Sequence, residues 1–448
     1  MPGDQPARVQ EPTGPAAARI ATPRQAMKRR IKGDAMPSTM ERRTLLLGGA
    51  AGAAGLATAR AARAQAAPIR IGVMTDMSGP YAANTGPGSV VGARLAAEDF
   101  MRANPGIRVE VVQGDFQNKP DVGAALARSW LDQQGVDVIL DVPVSSVALA
   151  VAGLVREKDR VALFTGPATA DLTGAGCGPN HAHWTYDTWA LAACTGRALV
   201  ADGGDAWFFI TADYAFGHAL ERDTAAFVRA AGGRVLGNAR TPFPGTADFS
   251  SFLLQAQSSR AKIIGLANAG ADTVTCIKQA AEFGLTRRGA RLAGLLFQIA
   301  DVHAVGLEAA QGLVLTEAFY WDMNEGTRGF SARVAPQLNG QKPSMIHAGA
   351  YSAVTHYLKG CAALGLERAK ASGRAVIGWM KANPTDDPLF GRGQVRADGR
   401  KLHDMYLFQV KSPQESRHPW DYYTLRQTTP AAQAFRPVEE GNCPMVRG

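Results

Sequence analysis

The residues best placed to do chemistry are a pair of serines. Ser145-Ser146 follow the apolar run VDVILDVPV (136–144), which reads as a buried strand, and they open a helical stretch over 146–158. Free backbone N–H groups, two hydroxyls and the positive end of a helix favour an anion there, although a serine in that place also serves as an ordinary helix cap. Ala168-Thr169 in TGPATADLT (165–173) come directly after the strand RVALFT (160–165), at the sheet edge where α/β folds bind small molecules. The turn Ser78-Gly79-Pro80-Tyr81 ends the strand IRIGVMTD (69–76) and brings an aromatic at Tyr81 and an amide at Asn84 to the same edge. Chemistries with stricter requirements are missing. Gly86-Pro87-Gly88 with Gly92 imitates a dinucleotide fingerprint, but Val91 stands where the third glycine belongs and the motif begins well past the strand. His181 and His183 in HAHWTYDTWA (181–190) have no third zinc ligand nearby, so the stretch reads as packing. No G-x-S-x-G elbow, H-E-x-x-H motif, P-loop or convincing acid pair is found, so no catalytic residue, cofactor or metal site is expected.

The elements that must position these residues alternate. Strands at 69–76, 108–115, 136–144 and 160–165 are separated by helices near 88–103, 121–133 and 146–158, the βα repetition of a parallel sheet covered on both faces. The register restarts at AWFFIT (206–211), followed by strands at 234–240, 261–267, 291–296 and 312–318, with helices near 216–231, 249–258 and 272–283 between them. A long helical stretch over 346–366 and strands at 405–410 and 422–427 close the chain. The expected fold class is α/β, with two similar doubly wound lobes.

The N-terminus distorts the bulk numbers. Arg42-Arg43 precede an apolar, charge-free run from Thr44 to Ala59, and Ala64-Gln65-Ala66 forms an A-x-A cleavage site. This is the layout of an export signal over 41–66, too short and too rich in Gly and Ala for a spanning helix. Twin arginines point to the twin-arginine route, with Leu45 where that pattern usually has Phe, and the general secretory route is the alternative. No Cys stands near the cleavage site to carry a lipid anchor. Residues 1–40 read as a disordered or mis-started leader. Residues 1–66 hold eleven Lys/Arg against four Asp/Glu, so seven of the nine net positive charges of the chain fall before the cleavage site. The remaining 382 residues carry about +2, which gives no support to a nucleic-acid or anionic-membrane partner. No later apolar run is long enough to insert in a membrane. Of the five cysteines, Cys194, Cys276 and Cys361 lie in helical segments and read as buried hydrophobes. Cys177 and Cys443 lie in loops and form the candidate disulfide in an oxidising compartment.

The chain resembles the leucine/isoleucine/valine-binding type of periplasmic binding protein over essentially all of 68–448. The resemblance is carried by IRIGVMTDMSGPYA, VDVILDVPVSSVALAVAGLVREKDRVALFTGPATADLT, HWTYDT, ITADYAFG and AAQGLVLTEAFYWD in their order and spacing. It implies the type I fold: two discontinuous lobes joined by a three-segment hinge, with crossovers near 187, 318 and 390–400. Lobe 1 would comprise 67–187 plus about 319–392, lobe 2 would comprise 188–318 plus about 393–430, and 431–448 would form a C-terminal tail. It implies a monomeric periplasmic protein that closes on a small molecule and delivers it to the permease and ATPase of an ABC importer. The alternatives are a periplasmic ligand sensor or an enzyme. On this resemblance the segment at Ser145 and Ser146 would hold a ligand carboxylate, Ala168 and Thr169 would contact the ligand, and Tyr186 or Asp187 would face the cleft. Phe216 would be an aromatic contact, and Asn268 would mark another strand end in use. Amino-acid binders of this type place a carboxylate for the ligand ammonium after the strand matching RLAGLL, where this chain has Phe297-Gln298 and no acid until Asp301. Burying an ammonium without a counter-charge is costly. Either Asp301 or Asp187 substitutes, or the ligand is a carboxylate without an ammonium, such as an aromatic or branched short-chain acid. Branched-chain amino acids are the alternative.

Overall fold

Runs of Val, Ile, Leu and Phe that are apolar on both faces fold where both faces of a strand are covered, which is the situation in a parallel sheet flanked by helices. In the computed structural model, which describes residues 67–446, such runs build two parallel sheets. The strands in chain order are β1 Ile69–Thr75, β2 Val109–Asp115, β3 Val138–Asp141, β4 Val161–Phe164 and β5 His181–His183, then β6 Ala206–Ala212, β7 Arg234–Thr241, β8 Ile263–Ala267, β9 Arg291–Gly294 and β10 Val314–Glu317. Five more follow: β11 Thr385–Asp387, β12 Gly391–Val395, β13 Lys401–Leu402, β14 Met405–Val410 and β15 Tyr423–Thr429. The first lobe is ordered β2-β1-β3-β4-β5 and the second β7-β6-β8-β9. The neighbouring strands within each of these sheets are parallel. An antiparallel sheet β10-β14-β15 and a small antiparallel ribbon β11-β12-β13 complete the architecture.

The chain leaves the first lobe after β5, builds the second through β10, and then returns. The helix Met345–Leu364 packs on Gly86–Ala103 of the first lobe, burying Val90, Ala93 and Ala97 against Ala350, Val354 and Tyr357. The glycines that imitate a dinucleotide fingerprint have a packing role in this contact. A Cβ on Gly92 would lie 2.5 Å from the carbonyl oxygen of His347, and one on Gly88 would run into the His347 ring. Only glycine permits so close an approach.

Four strands have no counterpart in the sequence expectations, among them β12, of five residues. β5 and β11 have three residues each and β13 has two. The segment before and after β13 stays attached to the first lobe: His183 bridges Arg400, and the Arg400 guanidinium donates to the Tyr186 carbonyl at 2.9 Å. The twin arginines, the expected export signal, its cleavage site and the leader over 1–40 lie outside the described residues. Among the described residues no helix is long and apolar enough to cross a membrane.

Cys177 and Cys443 are bonded with their Cα atoms 5.6 Å apart, tying the end of the chain to a first-lobe loop 266 residues away. Cys194, Cys276 and Cys361 are free and buried. Arg436, in the same tail, donates to the carbonyl of Ala170 at 2.9 Å. Replacing both bonded cysteines by serine should lower the unfolding free energy of the oxidised protein by about 2–5 kcal/mol. Chemical denaturation of wild type and the double variant, each with and without reductant, measures this. A wild type as stable reduced as oxidised would contradict it.

Candidate functional site

In a parallel sheet every loop that follows a strand emerges at the same edge, so two such sheets facing edge to edge offer two rows of loops to whatever lies between them. The first lobe contributes Tyr81, Asn84 and Thr85 after β1, Pro143 after β3, Gly166 and Ala168 after β4, and Tyr186 after β5, with Ile346 from the returning helix. The second contributes Tyr214 and Phe216 after β6, Ala269 after β8, and Leu296 and Gln298 after β9. These residues line a partly open cleft with a cavity volume of about 20 Å³. That is room for roughly one water molecule. A solute of several heavy atoms therefore needs the lobes to part.

The loops are held from below. Asp76 accepts the backbone N–H groups of Gly79 and Tyr81, at 2.6 and 2.8 Å, and the Asn118 amide at 2.7 Å, which shapes the turn that presents Tyr81 and Asn84. At the end of β3 the backbone turns through two positive φ angles, 80° at Asp141 and 57° at Val142. The second is a strained conformation for a β-branched residue. Thr75 and Thr165 donate to the Asp141 carboxylate at 2.7 and 3.0 Å, holding that turn and placing Pro143 in the wall. Burial pushes the Asp141 carboxyl up to about 6. Tyr186 donates its hydroxyl to the Gly166 carbonyl at 2.6 Å, joining two wall residues of the same lobe.

Several contacts join the two lobes, among them an ion pair between Arg222 of the second lobe and Asp171 of the first at 3.2 Å. The Tyr81 and Tyr214 hydroxyls are 2.7 Å apart, with Phe243 stacked on both rings at centroid distances of 5.4 and 4.3 Å. The Ala271 N–H donates to the Pro80 carbonyl at 2.9 Å. The Asn84 amide donates to Asp301 at 2.8 Å, while the other carboxylate oxygen of Asp301 accepts the Gln298 N–H at 2.9 Å. Burial pushes Asp301 up to about 6, against the lowering effect of these two donors. With its N–H group spent on Asp301, Asn84 keeps a buried carbonyl oxygen without a partner, as does Gln298.

The sequence matches the profile of a family described as periplasmic binding protein over residues 68–416. The chain belongs to the periplasmic binding protein family. It is similar to a periplasmic binding protein of Burkholderia mallei, with 45% identity, a TM-score of 0.81 and coverage of 85% of this chain and 99% of that one. It is also similar to a branched-chain amino acid ABC transporter ligand-binding protein of Burkholderia xenovorans, with 36% identity, a TM-score of 0.73 and coverage of 84% and 99%. A solute-binding protein of R. palustris in complex with 4-hydroxybenzoate shares the fold at 21% identity, with a TM-score of 0.72 and coverage of 82% and 98%. No curated protein sequence matches the chain significantly. The family and these neighbours are substrate-binding proteins of ABC transporters rather than enzymes, so this chain is a periplasmic solute-binding protein of that kind.

Within the binding protein, Tyr81, Asn84, Ala168, Tyr186, Phe216 and Gln298 come together on the cleft wall. The other expected site residues are set back from it. Ser145 is fully buried behind Pro143, and its hydroxyl oxygen accepts the Thr169 N–H at 3.2 Å. Thr169 turns its own hydroxyl oxygen to the Asp171 N–H. Ser146, in the first turn of the helix Ser145–Glu157, is half-buried. Asp187 caps the helix Thr188–Leu191 through the Ala190 N–H at 2.8 Å and faces Arg400 at 3.4 Å, so its carboxylate is engaged where the chain leaves the first lobe. Asn268 accepts from Thr273, and Phe297 lies in the apolar core of the second lobe. Pro143, Ala269, Leu296 and Ile346 are wall residues without a chemical signature, and Tyr214 sits inside the quoted motif ITADYAFG. His181 and His183 each give one ring nitrogen to a backbone carbonyl, of Leu172 and Pro167.

Asn84→Ala removes a charge-assisted bond across the cleft, worth about 1.5–3 kcal/mol, and should shift the unliganded protein toward the open form by roughly ten-fold to a hundred-fold. Small-angle scattering should record a larger radius of gyration for the variant. An unchanged scattering curve with an intact fold would show that this bond does not hold the lobes together.

Proposed function

We propose that this periplasmic binding protein captures a small carboxylate with an apolar body and no α-ammonium, an aromatic or branched short-chain acid, and hands it to the permease and ATPase of an importer. The observation that carries the reading is the wall itself: none of its thirteen residues has a charged side chain. Phe297-Gln298 stand where the resemblance to amino-acid binders would place an acid, Asp301 is occupied by Asn84, and Asp187 by Arg400. An ammonium in this cleft would be desolvated without a dedicated partner. Phe216, Leu296, Ile346 and the Tyr186 ring supply apolar surface for the body of the acid. The carboxylate is assigned to the first lobe, where the helix Ser145–Glu157 begins two residues after Pro143 with no side chain capping it. Its leading N–H groups and positive end favour an anion, with Ser145, Ser146 and Thr169 beside it. Neighbours of the same fold crystallised with benzoate, 4-hydroxybenzoate and 3,4-dihydroxybenzoic acid are consistent with a ligand of this class. Export by the twin-arginine route and action as a monomer belong to the same proposal.

Branched-chain amino-acid import is a second reading. It is favoured by the Burkholderia xenovorans relative and by the position of Asp301, which needs only to exchange Asn84 for a ligand ammonium.

Calorimetry with leucine and with 4-methylpentanoate, its analogue lacking the amine, separates the two. On the carboxylate reading the analogue binds at least as tightly as leucine. Tight leucine binding that is lost with the analogue would establish a paired ammonium, because truncating one partner of a buried charge pair costs about 2–5 kcal/mol, and it would overturn the reading.

A further inference from the structure

Asp272 has no role in the site as described so far. It lies in the first turn of the helix Ala271–Glu282, at the place where the second lobe touches the first. The preceding Gly270, at φ 59°, comes so near the other lobe that a Cβ there would be 3.0 Å from the Tyr81 ring and would clash with the Pro80 carbonyl oxygen. Asp272 itself is 7% exposed. Among the described residues its carboxyl has no hydrogen-bond donor and no ion-pair partner. The titratable groups that face it are Tyr81 of the first lobe, Tyr214 from the loop after β6, and Cys276 on its own helix, none of them a cation. Tyr81 and Tyr214 are wall residues, so the charge of this carboxyl is felt at the cleft wall, two residues from the close approach at Gly270.

An anionic solute between these walls would meet no basic side chain, and it would add its charge to a buried, unpartnered carboxyl. Two like charges in so dry a place cannot both persist cheaply. We propose that Asp272 is the proton-binding residue of the cleft: it takes up one proton as the lobes close on an anionic solute, which makes solute capture proton-coupled. The proposal rests on the carboxylate reading above. The proton balance is simple: the open cleft with an ionised Asp272, one carboxylate solute and one proton from the buffer give the closed complex with a neutral Asp272. Burial alone already pushes this carboxyl up to about 7 in the closed protein, and a bound anion raises it further. A group whose value is higher closed than open favours closure at low pH. The effect is complete below the open-state value, near the ordinary aspartate range of about 4, and is lost as pH rises through 7 and above.

The test is titration calorimetry of the full mature chain with benzoate and with 4-methylpentanoate at several pH values, in phosphate and in Tris, whose ionisation heats differ. The expected result is uptake of about one proton per solute near pH 6, with affinity falling by up to about ten-fold per pH unit toward pH 8.5. Asp272→Asn should lose this slope and bind the acids at least ten-fold more tightly than wild type at pH 8.5. The proton count on wild type needs no variant. Binding with zero proton uptake overturns the proposal and leaves the carboxylate reading standing. A slope that persists in Asp272→Asn shows that the solute or another carboxyl carries the proton, and also overturns it. Failure of the folded wild type to bind either acid at any pH overturns both.

Discussion

The Asp301 carboxylate is where the two lobes meet electrostatically. When the cleft is open, water can solvate it. When the cleft closes, that water leaves and the Asn84 amide takes its place across the gap, beside the Gln298 N–H that Asp301 already holds within its own lobe. Desolvating an ionised carboxylate is expensive, and two hydrogen bonds recover only part of the cost. The rise of its carboxyl to about 6 is the sign of the uncompensated part. Other links between the lobes include a tyrosine pair with Phe243 stacked on it, one backbone bond and the Arg222–Asp171 ion pair. One of these links carries the cost of a buried charge, so closure is not held by it without penalty, and a solute that binds the closed form better can bias the equilibrium.

That equilibrium requires each half to be rigid. In the first lobe the helices Gly86–Ala103 and Met345–Leu364 approach so closely at Gly88 and Gly92 that they act as one body. At the hinge, the fully buried Arg400 binds the Tyr186 carbonyl and faces Asp187, which in turn caps the next helix. A buried ion pair of this kind adds little net stability, but breaking it strands a charge. Its effect is to fix the course of the chain at the crossover, so that Tyr186 enters the wall in a single orientation. The positive φ angles at Asp141 and Val142 do the same for Pro143, with strain stored at the wall and held by two threonine hydroxyls.

The strands legible in the sequence were those whose two faces are both buried. β3, β6 and β8 are continuous apolar runs, and the βα alternation identified two parallel sheets because no other arrangement covers such strands. β5, β11 and β13 were not legible. They are two or three residues long, and the bridge from His183 to Arg400 that anchors one of them spans residues far apart in the chain. β12 was missed too, because its five residues GRGQV hold two glycines and only one apolar side chain. The wall was legible from residue chemistry at Tyr81 and Asn84, from strand-end position at Ala168 and from the family resemblance at Tyr186, Phe216 and Gln298, and silent at Pro143, Ala269 and Leu296, whose side chains are ordinary apolar groups. Asp187 was misleading for a physical reason: an acid before a short helix serves equally as a cap or as a ligand contact, and only the position of Arg400, over two hundred residues later, decides between them. Asp272 has the same ambiguity, since an acid in the first turn of a helix is a common helix-stabilising choice.

We propose that this cleft selects its solute with a wall free of charge. A crystal structure of the protein with the solute it carries when isolated from the periplasm decides this. The expected solute is a small acid whose body lies against Phe216, Leu296 and Tyr186, with its carboxylate at the start of the helix Ser145–Glu157 and Asn84 still bonded to Asp301. An ammonium group paired with Asp301 in place of Asn84, or a solute bound away from these walls, would contradict it.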